Sequence, residues 1–233
     1  MSTHTKAVAL FVRHPIPGRV KTRLASYLGD ENACDLYKAM VADVLANIRA
    51  CLMPVFLFHD GEDAAQLPDE WLRAAYSVVR QEGDSIGDRM TAAFEHLFAV
   101  GIERGVLVGS DIPGMDVKLL QSAFEAIEIH DVAIAPSFDG GYCLISFKKE
   151  AFDARVFHNI SWSTFSVLRS TVNACNDCEL KYQILESRQD VDTIDDLRAY
   201  WSNPSDHSPA TSQWLSSATE CLKSQEVRNT HLL

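Results

Sequence analysis

No stretch of this 233-residue sequence approaches the roughly 18 consecutive apolar residues that a membrane span requires. The longest apolar runs, Ala7 to Val12 and Gly105 to Gly109 with their neighbours, are strand-sized. The amino-terminal segment lacks the order of charged region, apolar region and small-residue cleavage site, so no signal peptide is read and the default compartment is the cytoplasm. Cations are scarce: 21 Lys and Arg face 32 Asp and Glu, a net charge of −11. That balance argues against non-specific nucleic-acid binding, which needs a basic footprint. Both common phosphate-loop patterns, G-x-x-x-x-G-K-[ST] and G-x-G-x-x-G, are missing, as is a nucleophile elbow with Ser, Asp and His in order. Cys175-Asn-Asp-Cys178 is a lone C-x-x-C among six cysteines. It has neither the second pair nor the spaced histidines of a zinc site, so the cysteines read as small buried apolar residues.

What is present is ordinary globular composition, 47 % apolar and 23 % charged, enough for one sizeable core. Strand-like runs occur at Lys6–Arg13, Met53–Asp60, Tyr76–Gln81, Gly105–Ser110, Val132–Pro136, Tyr142–Phe147 and Tyr182–Leu185. Between them lie helical periodicities: Leu36 to Ile48 after an Asp30 cap, Ile86 to Phe98, a segment capped by Asp116, one capped by Ser163, and one around Leu197 and Trp201. Glu62 to Ala75 reads as a weak helix interrupted at Pro68. Alternating strands and helices imply an α/β fold of three layers, α/β/α, with a mixed, mostly parallel sheet. Residues 1–202 form one domain on this reading, and 203–233 a polar tail with a short helix over Gln213–Gln225.

In such sheets ligands sit beyond the carboxyl ends of the strands, so the residues just past each strand matter most. The first strand delivers Gly18, Arg19, Lys21, Thr22 and Arg23, within an opening 29 residues that hold five cations and no acid. If the segment is extended, Arg19, Lys21 and Arg23 share one side and suit a pyrophosphate. The fourth strand ends at Asp111, which either caps the turn before Pro113 or holds a divalent ion. Asp139-Gly140-Gly141-Tyr142 reads as a hairpin turn that also lets backbone approach a ligand. Asp190-Val191-Asp192 adds strand-end carboxylates, with helix capping by Asp192 or Thr193 as the alternative. Gln81 to Met90 places hydroxyl, acid and glycine at a helix start, where capping or an anion is expected. His14 lies beside the first loop, and a structural role is preferred for it.

In combination these segments resemble one family. Phe11-Val-Arg-His-Pro-Ile-Pro-Gly-Arg-Val-Lys-Thr-Arg-Leu24, Val108-Gly-Ser-Asp-Ile-Pro113, Ala135-Pro-Ser-Phe-Asp-Gly-Gly-Tyr142, Ile160-Ser-Trp-Ser-Thr164 and Asp190-Val-Asp-Thr193 look like its motifs, in its order. It is the bacterial family catalogued as domain of unknown function 2064, or selenodomain-associated transferase 1, in the nucleotide-diphospho-sugar transferase (GT-A) superfamily. The resemblance implies a GT-A fold and a metal-dependent transferase acting on a nucleoside diphosphate-sugar. The alternatives are nucleotidyl transfer from a nucleoside triphosphate to a phosphorylated acceptor, and nucleotide binding without turnover. It implies Mg²⁺ or Mn²⁺ on Asp111 and Asp192, with Asp111, Lys21 and Arg23 in catalysis. Gly18, Arg19, Thr22, Asp139, Gly140 and Gly141 would contact the nucleotide or nucleotide sugar. The D-x-D of glycosyltransferases is reduced here to Gly109-Ser110-Asp111.

Overall fold

The computed structural model describes residues 4–202 and 207–218. Among the described residues seven strands form one sheet: β1 (Lys6–Val12), β2 (Val55–His59), β3 (Ser77–Arg80), β4 (Arg104–Val108), β5 (Val132–Pro136), β6 (Tyr142–Lys148) and β7 (Tyr182–Ile184). Their order is β3-β2-β1-β4-β6-β5-β7. β6 runs antiparallel to β4 and β5, and the other pairings are parallel. The helices are α1 (Thr22–Leu28), α2 (Asp30–Ala50), α3 (Asp69–Ala74), α4 (Ile86–Ala99), α5 (Val117–Ile129), α6 (Val167–Asp177) and α7 (Ile194–Ser202). Residues 209–218 are also helical. Among the described residues no helix is long and apolar enough to cross a membrane.

The expected three-layer α/β/α arrangement is what forms, and β1 shows why. Val8, Leu10 and Val12 face one layer, packing with Tyr37, Val41 and Phe124 of α2 and α5. Ala7, Ala9 and Phe11 face the other, with Phe94 and Leu97 of α4 and Phe147 of β6. A strand covered on both sides must be apolar at every position, which is the continuous run seen in the sequence. A third, smaller core joins Leu24 and Leu28 of α1, Leu36 and Met40 of α2, Val191, Leu197 and Tyr200 of the α7 region, and Leu215.

Four local expectations are corrected. Residues 19–23 are not extended: Lys21 takes a left-handed conformation, φ 48°, and Thr22 opens α1. Leu24 and Leu28, four apart, are both buried, and their burial drives that turn into a helix. Gly29, φ 81°, holds the cap position of α2, so Asp30 is its first residue rather than its cap. α6 begins after Ser166, and Ser163, φ 62°, sits in the preceding turn. The polar stretch after Ser202 is not all surface: Ser208 and Thr211 are buried, and the helix starts at 209 instead of 213. Its expected continuation to Gln225 lies outside the described residues. The hairpin at Asp139-Gly140-Gly141 and the Asp116 cap form as expected.

Candidate active site

The chain leaves β1 for β2 and β3 on one side, while β4 lies on the other. The carboxyl ends of β1 and β4 therefore open a crevice between diverging connections. Lys21 arrives from the β1 side. Its side chain is only 4 % exposed, and Nζ stands 3.1 Å from Asp111 Oδ2 and 3.5 Å from Asp192 Oδ1. A buried ammonium is tolerated only with such partners. Arg23, one residue into α1, donates from a guanidinium N–H to Asp192 Oδ2 at 2.9 Å.

Asp111 arrives from β4, and its carbonyl accepts from the Val191 N–H at 3.1 Å, which ties the two acidic segments together. Burial pushes the Asp111 carboxyl up. The Lys21 ammonium, as charge and as donor, outweighs this with help from the Asp111 backbone and Arg13, and holds the group below the ordinary carboxylate range. Asp192 is not spent on capping. Thr193 and Asp196 cap α7 between them: the Asp196 N–H donates to Thr193 Oγ1 at 3.2 Å, and the Thr193 N–H to Asp196 Oδ2 at 2.7 Å. That frees Asp192 for the cations.

Asp190 lies within electrostatic reach of both Asp139 and Asp111. Burial, then the charges of Asp139 and Asp111, push its carboxyl up to about 6. Asp139 is itself locked into the hairpin, accepting from Ser137 Oγ and from the Gly141 N–H at 2.9 Å. Gly140, φ 87°, lies so close to the next loop that a Cβ would meet the Phe165 carbonyl oxygen at 2.5 Å. Leu168 N–H donates to the Gly140 carbonyl at 3.0 Å. The glycine pair thus fastens the hairpin to the 160–168 segment.

Of the residues singled out in the sequence, Lys21, Arg23, Asp111 and Asp192 meet directly. Asp139, Gly140 and Gly141 form the rim beyond Asp190. Arg19 makes no ion pair with Asp111 or Asp192 and lines a cleft of about 460 Å³ with Arg13, His14, Ile16, Asp60, Gly61, Glu62, Gln66 and Arg80. Gly18, φ 76°, makes the turn between them, and Thr22 is exposed at the start of α1. The helix start at Ser85 is satisfied by its own capping box with Asp88. His14 is buried, its Nε2 3.1 Å from His59 Nδ1, with no room for a side chain at Gly61 beneath its ring.

Two features carried little signal in the sequence. The cleft walls from β2 and β3, Asp60 to Gln66 and Arg80, lie at strand ends but show no motif. Arg188 clamps the acidic segments: Nε donates to the Gly114 carbonyl, a second guanidinium nitrogen to Asp116 Oδ2, each at 3.1 Å, and its backbone N–H to the Pro136 carbonyl at 3.0 Å.

Residues 44–164 match the family described as "Uncharacterized protein conserved in bacteria (DUF2064)". A solved protein from Desulfovibrio desulfuricans G20, provisionally named a nucleotide-diphospho-sugar transferase, superposes with a TM-score of 0.87 at 32 % identity, covering 96 % of this chain and 99 % of that one. The 2-phospho-L-lactate guanylyltransferase of Methanocaldococcus jannaschii is 23 % identical over 181 residues, 76 % of this chain and 75 % of the relative. The 4-diphosphocytidyl-2C-methyl-D-erythritol synthase of Anaerococcus prevotii shares the fold, with a TM-score of 0.57 at 10 % identity over 85 % of this chain and all of that one.

Proposed function

This chain belongs to the bacterial DUF2064 family, and from that membership and its site geometry we propose that it is a nucleotidyltransferase, moving a nucleoside monophosphate from a nucleoside triphosphate to a phosphorylated acceptor. The observation that carries this reading is the delivery of Lys21 and Arg23 from the β1 loop onto the strand-end carboxylates Asp111 and Asp192. Sugar transfer expels a nucleoside diphosphate, whereas nucleotidyl transfer expels free pyrophosphate, the product with more charge to neutralise. Two cations beside the acids suit the second. The likeness to a guanylyltransferase along three quarters of its length points the same way.

In the reaction, an oxygen of the acceptor phosphate attacks the α-phosphorus. The bond from that phosphorus to the bridging β-oxygen breaks, and pyrophosphate leaves with the electron pair. Lys21 and Arg23 would neutralise the charge that grows on it. Arg19, on the same loop, faces the adjoining cleft and would hold the remaining phosphate oxygens there. The nucleoside would extend over the ends of β2 and β3, and the acceptor would enter past the Asp139 hairpin.

The residues present fit a divalent cation. Asp111 and Asp192 are oxygen-only donors that already converge on one cation, the Lys21 ammonium; among the described residues no group of three or more His, Cys, Asp or Glu that could hold a metal is formed, so substrate oxygens would have to complete the set. Two carboxylates completed by substrate oxygens is the usual provision for Mg²⁺ or Mn²⁺. When bound, such an ion supplies positive charge to the phosphate oxygens.

Exchange of radiolabelled pyrophosphate into nucleoside triphosphate tests the reading: the wild type should catalyse it, and Asp111→Ala should abolish it together with metal-dependent nucleotide binding. A second reading, transfer of a sugar from a nucleoside diphosphate-sugar, is favoured by the name of the 32 %-identical relative. Sugar transfer without any pyrophosphate exchange would establish it instead.

A further inference from the structure

The cleft beyond β1, β2 and β3 holds charges of both signs that do not cancel one another. Arg13 and Asp60 are matched: Nε donates to Asp60 Oδ2 at 3.3 Å, and Asp60 Oδ1 takes the His14 N–H at 2.8 Å. Arg80 and Glu62 are not. Both line the cleft, one at the end of β3 and one after β2, and neither side chain makes an ion pair or hydrogen bond with a described residue. The cavity they share measures about 460 Å³, within the range of about 300–1,000 Å³ common for small-molecule sites.

A group that fits between them must offer acceptors on one edge and donors on another. Guanine does so in matched pairs: O6 and N7 accept a guanidinium fork, while N1–H and the 2-amino group donate to a carboxylate. Adenine sets its amino donor beside N7, which turns a guanidinium away. Cytosine gives a carboxylate only its 4-amino group, and uracil only N3–H. We propose that this cleft selects guanine, with Arg80 donating to O6 and N7 and Glu62 accepting from N1 and the 2-amino group. The inference rests on the nucleotide reading of the neighbouring Lys21–Asp111–Asp192 cluster and adds the base to it.

Titration calorimetry on the full chain with Mg²⁺ and nucleoside diphosphates tests it, since the nucleoside diphosphate portion is present in the donor of both candidate reactions. Wild type should bind GDP at least about tenfold more tightly than ADP, CDP or UDP. IDP, which lacks the 2-amino group, should bind several-fold more weakly than GDP, and Glu62→Ala, which leaves no acceptor, should erase that difference. 7-Deaza-GDP should likewise be penalised in the wild type and not in Arg80→Met. Both side chains are exposed, so these variants should fold normally. Equal binding of the four diphosphates, preference for another base, or a GDP-to-IDP ratio that survives Glu62→Ala overturns the guanine assignment. If diphosphates bind without base preference and Lys21→Met removes that binding, the assignment fails while the nucleotide reading stands. If no diphosphate binds, both fail.

Discussion

Lys21 concentrates the energetics of the site in one side chain. Its φ of 48° is a conformation that costs a non-glycine residue about 1 kcal/mol or more, and its ammonium is removed from water. Both costs are offset only by the two carboxylates it joins. Lys21→Met should therefore remove the one ammonium that joins Asp111 to Asp192 and faces the substrate phosphates, and nucleoside diphosphate affinity should drop at least tenfold in calorimetry. Lys21→Arg should restore little of it, because a planar fork cannot occupy the place of a point charge between two oxygens. A second residue-scale prediction concerns pH. Burial, then the neighbouring His14 ring, lowers the His59 pKa, with Asp60 pulling the other way. The unfolded chain protonates His59 first, near an ordinary value of about 6.5. The stability gained by keeping it neutral is complete above that value and is lost as pH falls through it. Asp190, raised to about 6, acts oppositely over the same range, so the expected effect is differential: between pH 7.5 and 5.5 the urea midpoint should fall more, or rise less, in the wild type than in His59→Gln.

Among the elements, the segment from β7 to α7 has almost no regular structure, yet it carries Asp190 and Asp192. Arg188 is what makes it rigid. Its guanidinium reaches Gly114 and the same Asp116 whose other oxygen caps α5, accepting the Leu119 N–H at 2.6 Å. Arg188→Ala would leave the Asp116 carboxylate and the Gly114 carbonyl without their partner, a loss of about 2–3 kcal/mol for largely buried charged partners. Hydrogen exchange should quicken over 186–192 before it does in the strands. Gly140→Ala should be comparably harmful, since the new Cβ has no space and the backbone is left-handed. The strands and most helices were legible because β1, β4 and β5 are apolar on both faces and α2, α4 and α5 repeat at helical spacing. The strand-end rule also brought Lys21, Asp111 and Asp192 forward. What was not legible depends on distant partners. α1 hides behind a run of charges, and only the third core makes Leu24 and Leu28 decisive. Arg188, Glu62 and Arg80 acquire meaning only when three strand ends are side by side.

At the scale of the whole molecule, the third core links the far end of the chain to the site. Asp43 sits on the buried stripe of α2, 1 % exposed, a charge at a core position. Its carboxylate accepts the Ala210 and Thr211 N–H groups at 2.8 Å each and the Thr211 hydroxyl at 2.6 Å. It thereby caps, from another helix, the start of residues 209–218, where the orphan N–H groups and positive dipole end favour an anion. Leu215 then packs with Leu24 and Leu28 of α1 and with Val191 between the two site acids. The last described helix is thus a brace under both the cationic and the acidic sides of the site. Asp43→Ala should release it at a cost of about 2–4 kcal/mol, three hydrogen bonds to a buried charge being lost while the donors regain water. Limited proteolysis should then cut within 207–218 while the sheet stays protected. Nucleoside diphosphate affinity should fall several-fold, because α1 and the Val191 segment lose their common support. Release of the helix with unchanged affinity would show instead that the sheet and the Arg188 clamp position the site unaided.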